Sequence, residues 1–210
     1  MYEELKAGNF EIIAAAQDTA GETAAGKWYD AANAGYTTLV DSKHAVSSAF
    51  QFTNVPTGVW IDESGRVIRP GEPAWTTSRT TMYGGKPVVT EGEEYVAALR
   101  DWVANGGRSA YALSDEAFAE RVKQRSSAEM EADASFALAV WLQETGNPAL
   151  AKKYFARAQE LNPADWNYHR QEWSFTPGEA GPKWLDKFQK LEQPYYPKLD
   201  LAPKPGKPKG

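Results

Sequence analysis

The sequence predicts a mixed chain: an α/β half followed by an all-α half. Three observations carry that prediction. Residues 10–17, Phe-Glu-Ile-Ile-Ala-Ala-Ala-Gln, are apolar on both alternating faces, which suits a strand inside a sheet covered by helices on both sides. Val59-Trp60-Ile61 is short and β-branched, is followed by the turn residues Asp62-Glu63-Ser64-Gly65, and leads into a second strand at Arg66–Arg69. From residue 108 onward one helical pattern follows another with only short connections.

The bounds agree with a packed, water-exposed chain. It has 210 residues, 42% apolar and 12% aromatic, enough for a substantial core. A net charge of -5 disfavours general attraction to nucleic acid or to an anionic bilayer, so no nucleic-acid partner is expected. No run approaches the roughly 20 apolar residues of a membrane span. Residues 1–17 lack the basic opening and long apolar core of a signal peptide, which tilts an otherwise open compartment toward the cytoplasm. The chain contains 0 cysteines, which removes disulfides, thiolate nucleophiles and sulfur metal ligands together.

Taken in order, Met1–Asn9 reads as the last two turns of a helix closed by Gly8. The strand at 10–17 is followed by a helix over Asp18–Asn33 with Ala24, Ala25, Trp28, Tyr29 and Ala32 on its apolar face. A strand at Tyr36–Asp41 comes next, and then a helix over Lys43–Phe50 capped by Ser42. Pro56 cannot donate to a ladder and therefore opens the strand that ends at Ile61; the Val55–Pro56 bond is a candidate cis peptide. Residues 70–91, dense in Pro, Gly and Thr, are expected to form a long loop anchored by Trp75 and Tyr83. A helix over Glu93–Val103, with Tyr95, Val96, Leu99, Trp102 and Val103 on one stripe, closes the first half at Gly106-Gly107.

In the second half Ser114 caps a helix from Asp115 to about Arg125, Ser126 or Ser127 caps one to Thr145, and Pro148 opens one to Leu161. Leu138, Leu142, Phe155 and Ala158 are expected to face inward. After Leu201 the Pro/Lys-rich stretch reads as a mobile basic tail. The domain division expected on this basis is 1–107, 108–191 and a tail at 192–210.

Two resemblances sharpen this picture. Asn54-Val-Pro-Thr-Gly-Val-Trp-Ile-Asp-Glu-Ser-Gly-Arg-Val-Ile68 resembles the cis-proline strand and following hairpin of thioredoxin-like proteins of the TlpA and ResA type. Phe10–Asp18 and Ala45–Phe52 resemble that family's strand after the redox helix and the helix leading into the cis-proline loop. Leu138, Ala139, Leu142, Gly146, Ala151, Phe155, Ala158 and Pro163 resemble one tetratricopeptide repeat, whose small residues let two antiparallel helices approach.

The first resemblance implies an α/β thioredoxin-like fold and thiol–disulfide exchange, in which the residue before the cis-proline holds a substrate backbone in β-like pairing. Carried onto this chain, it implies substrate contact at Val55, Pro56 and Thr57. It leaves no nucleophile, no cofactor and no metal, so the chain as given is expected to be redox-inactive. Against the family pattern, the strand and the Cys-x-x-Cys segment that would precede Met1 are missing, and a truncated chain is expected. Strands 10–17 and 57–62 would then lack their shared neighbour, which predicts a strand-sharing oligomer, direct pairing of those two strands, or marginal folding.

Other chemistry is sparse. His169 and Glu172 form an i,i+3 pair without third or fourth ligands. Trp166, Tyr168, Trp173 and Phe175 are expected to cap the repeat. The alternative to a redoxin-type function is a non-enzymatic scaffold that engages a protein or peptide partner through its helical half.

Overall fold

The structure is a computed structural model and describes residues 1–201; the predicted tail at 202–210 lies outside the described residues. In chain order the elements are α1 (Tyr2–Leu5), β1 (Ile13–Ala16), α2 (Glu22–Ala32), β2 (Thr37–Val40), α3 (Ala45–Phe50), β3 (Thr57–Ile61), β4 (Val67–Pro73), β5 (Arg79–Tyr83), β6 (Lys86–Thr90), α4 (Gly92–Asn105), α5 (Asp115–Arg121), α6 (Ser127–Glu144), α7 (Pro148–Leu161), α8 (Trp166–Ser174) and α9 (Ala180–Gln189). The chain is mixed α/β, as its patterning predicts. Its packing divides into two units, each assembled from separated segments: the first from Met1–Ile12, Pro56–Lys123 and Leu191 onward, the second from Ile13–Val55 and Gln124–Lys190.

In the first unit β3 and β4 form an antiparallel pair, with Trp60 opposite Arg69. The Asp62 carboxylate accepts the N–H groups of Ser64 and Arg66 at 3.0 Å, and Gly65 takes the left-handed φ of 83° that closes the turn. Leu5, Trp60, Ile68, Tyr95, Ala98 and Leu99 make the core, together with Leu199 and Leu201. Trp60 donates its indole N–H to the Tyr95 hydroxyl at 3.0 Å and stacks on Trp102. Tyr95, Leu99 and Trp102 belong to the predicted apolar stripe of α4. Two members of this core, Leu199 and Leu201, fall within the stretch 192–210 that sequence order sets apart as a tail.

The expected loop at 70–91 is instead largely strand. β4 runs on to Pro73, and β5 and β6 form an antiparallel hairpin with Tyr83 opposite Lys86. Gly84 and Gly85 take φ of 54° and 83°, the two positive values that a tight I′-type hairpin turn needs. The run Thr80-Thr81-Met82-Tyr83-Gly-Gly carried that signal; the proline and threonine content of the whole stretch 70–91 masked it.

In the second unit β1 and β2 pair in parallel, Ile13 beside Thr37 through Ala16 beside Val40. The Tyr29 hydroxyl of α2 donates to the carbonyl oxygens of Ala14 and Leu39, both at 3.0 Å. β1 and β3 lie in separate sheets, so the direct pairing expected as one outcome of a missing neighbour is not formed. The N-cap position of α3 is His44, and Asp41, not Ser42, supplies the acceptors for its first turn: the two Asp41 carboxylate oxygens accept the N–H groups of Ala45 and Val46 at 2.8 Å.

α6 begins with a capping box: Ser126 Oγ accepts the Glu129 N–H, and the Glu129 carboxylate accepts the Ser126 N–H at 2.7 Å. α6 and α7 pack through Ala132, Phe136, Ala139, Val140, Leu142, Ala151, Phe155 and Ala158, and Tyr168 of α8 closes the cluster by stacking on Phe136 at 4.8 Å. Leu142, Phe155 and Ala158 face inward as expected. Leu138 does not: it is 37% exposed, at the margin of the face that buries Leu142 one turn further on.

Candidate functional site

The loop Phe52–Thr57 is the stretch for which sequence alone implies a role, and its first half is held firmly within the second unit. The N-terminal turn of α8 does the holding. The Trp166 N–H donates to the Thr53 carbonyl at 2.7 Å, and Asn167 Nδ2 donates to the Phe52 carbonyl at 2.7 Å. Asp165 caps that turn by accepting the Asn167 N–H at 2.9 Å. Burial pushes the Asp165 carboxyl up to about 8, overriding the two backbone N–H groups that favour its charged form.

Of the three implied contact residues, Val55 ends this segment, and its N–H donates to Asn54 Oδ1 at 2.9 Å. Pro56 and Thr57 open the β3 segment of the first unit, where the Pro56 carbonyl accepts the Ala74 N–H at 3.3 Å and Thr57 lies opposite Pro73. All three are partly buried. The Val55 N–H, which thioredoxin-like resemblance would offer to a substrate backbone, is therefore engaged by its own neighbour.

Two buried polar clusters were not legible in the sequence. In the second unit the Asp133 carboxylate accepts from Ser48 Oγ, Arg125 and the Tyr168 hydroxyl. Burial, and then the bond to Asp133, hold the Tyr168 phenol protonated well above its usual range. Near it His44 is buried, with Nε2 against Gln171 Oε1 at 3.0 Å, Nδ1 without a partner, and a left-handed φ of 56° that non-glycine residues seldom adopt.

In the first unit Arg69 is 1% exposed and sits 5.3 Å over the Trp60 ring. Its guanidinium donates to both Glu72 carboxylate oxygens and to the carbonyls of Tyr111 and Asp200. Arg121 joins the same Glu72 oxygen and Asp200. In both clusters the charges answer one another, which is the arrangement of structural locks rather than of groups waiting for a substrate.

His169 and Glu172 do not converge on a metal. The Glu172 carboxylate accepts from Gln159 Nε2 at 2.6 Å, while His169 Nε2 is buried without a partner. Among the described residues no group of three or more His, Asp or Glu side chains is arranged to hold an ion. No helix of the described residues is long and apolar enough to cross a membrane. Comparisons with protein-family models, curated proteins and solved structures give no match.

Proposed function

We propose that this chain is a thioredoxin-like protein of the thiol–disulfide oxidoreductase kind, whose given residues supply the scaffold and the substrate-contact loop but no thiol. What supports the reading is the order and sense of its elements: parallel β1 and β2 joined through α2, then α3, the Val55-Pro56-Thr57 loop, the antiparallel β3–β4 pair, and α4 on Trp60. In that role Val55, Pro56 and Thr57 align an extended substrate backbone, with the Asn54 side chain turning away from the Val55 N–H as the peptide arrives. Disulfide exchange needs a thiolate, and with 0 cysteines the chain by itself carries out none.

The test has two parts. The purified chain is expected to give no insulin-disulfide reduction at any pH. Titration with an extended peptide is expected to shift the amide resonances of residues 53–57 ahead of all others. Shifts confined to other parts of the chain overturn the contact assignment, and reduction free of contaminating enzyme overturns the inactive reading.

A second reading has its own observation. α6 is apolar on two opposite faces, one buried and one open. An apolar stripe on a helix normally packs against a neighbour, and α6 carries two. In that reading the helical half is a scaffold that engages another protein.

A further inference from the structure

The open face of α6 has an ordered pattern. Its inner face, Ala132, Ser135, Phe136, Ala139, Val140 and Leu142, is buried within the second unit. On the far side Met130, Ala134, Ala137 and Trp141 recur at spacings of four, three and four, the seam of a two-helix coil. Ala134 and Ala137 are exposed, Met130 is 53% exposed and Trp141 56%. Ser127 and Glu144 extend the same seam by one position at each end.

Read from either end, the seam is complementary to itself. In an antiparallel pair of helices each a position meets a d position of the partner. Centred between residues 135 and 136, that rule sets Met130 against the partner's Trp141 and Ala134 against the partner's Ala137. The two alanines at the crossing let the backbones approach, and the large side chains fill the flanks.

The charges fit the same orientation. Glu144, bonded to Lys43, falls opposite Ser127 in the partner's first turn, where the positive end of the helix dipole favours a carboxylate. Lys43 meanwhile comes beside the acidic first turn that contains Glu129. A parallel pairing would set Glu144 against Glu144 and Trp141 against Trp141.

We propose that the outer seam of α6 is a two-fold, antiparallel self-association surface, and that its occupant is α6 of a second copy of this chain. The proposal deepens the scaffold reading by naming the face and the partner, and it is independent of the redoxin reading. A seam of about three turns is small, so the dimer is weak, with a dissociation constant on the order of 1–100 µM.

Sedimentation of the full chain over roughly 1–500 µM is expected to show a monomer–dimer equilibrium. Trp141→Glu should weaken it more than about tenfold, whereas Leu150→Glu, an exposed position on α7 outside the seam, should leave it unchanged. Circular dichroism checks that both variants fold. Because the chain has no cysteine of its own, orientation is read by mixing Ala134→Cys chains with Ala137→Cys chains and oxidising. The mixed cross-linked dimer should dominate over both homodimers.

Homodimer cross-links in excess, or a dimer untouched by Trp141→Glu, would overturn the proposal. So would a chain that stays monomeric throughout. A monomer that instead retains a synthetic amphipathic helix, and loses it in Trp141→Glu, rejects self-association while preserving the scaffold reading. A monomer that retains none rejects both.

Discussion

At the scale of single residues, buried charge governs the behaviour to expect. Glu72 is held between Arg69 and Arg121, and burial raises its carboxyl pKa despite both cations. Glu72→Gln leaves Arg69 buried with a neutral partner, and removing one member of such a pair costs about 3–5 kcal/mol. Chemical denaturation of the two proteins side by side measures that difference; a loss under about 1 kcal/mol would show water reaching the cluster. Asp165 and His169 give the second unit opposite pH slopes. His169 titrates at about 4 rather than 6.5, so its contribution is intact above 6.5 and is lost as pH falls toward 4. Asp165 titrates at about 8 rather than 3.8, so its contribution is intact below 3.8 and drains away as pH rises to 8. Between pH 6.5 and 8 only the Asp165 slope of this pair remains, and stability should fall there by up to about 1.4 kcal/mol per pH unit. Asp165→Asn keeps a cap acceptor for the Asn167 N–H and should flatten that fall, read from urea midpoints at the two pH values.

Elements differ in how plainly local sequence announces them. The α6–α7 pair was legible because a capping box, a proline at the first helical position and a row of small residues all lie within a few turns of one another. Phe155, 2% exposed between the two helices, should cost about 3–5 kcal/mol on Phe155→Ala, measured by thermal or chemical unfolding. Ser126→Ala removes one side of the capping box and should cost about 1 kcal/mol. Leu138 shows the limit of periodicity: spacing places it on a helix face, and only the neighbours decide whether that face is covered. The same limit hid the support of the Phe52–Thr57 loop, since Trp166 and Asn167 stand more than a hundred positions further on. It also hid Arg69, a charge in an apolar strand whose acceptor at Asp200 lies 131 positions away. The hairpin at residues 79–90 was missed for a different reason. Its glycine pair is a strong turn signal, but the surrounding Thr and Pro residues read as loop when composition is weighed ahead of alternation.

At the scale of the whole molecule, pattern reading recovered the mixed class and the division of labour between strands and helices. It did not recover the way packing interleaves the chain. Each unit draws on segments from both halves, and long-range closure of that kind leaves no local mark. One consequence concerns the time at which the first unit can be finished. Arg69 needs the Asp200 carbonyl, and its core needs Leu199 and Leu201. At translation speeds of about 5–20 residues per second, the 131 positions between Arg69 and Asp200 take roughly 7–26 s to make. Throughout that interval a guanidinium destined for burial, and the face of Trp60 beneath it, wait without their last partners while the helices of the second unit are already emerging. A chain ended after Pro197 should therefore keep the protease resistance of α6–α8 but lose that of β3–α4. Pulse proteolysis of nascent chains stalled before and after Leu201 would time the step, and equal protection of β3–α4 in both would show that this clasp is dispensable.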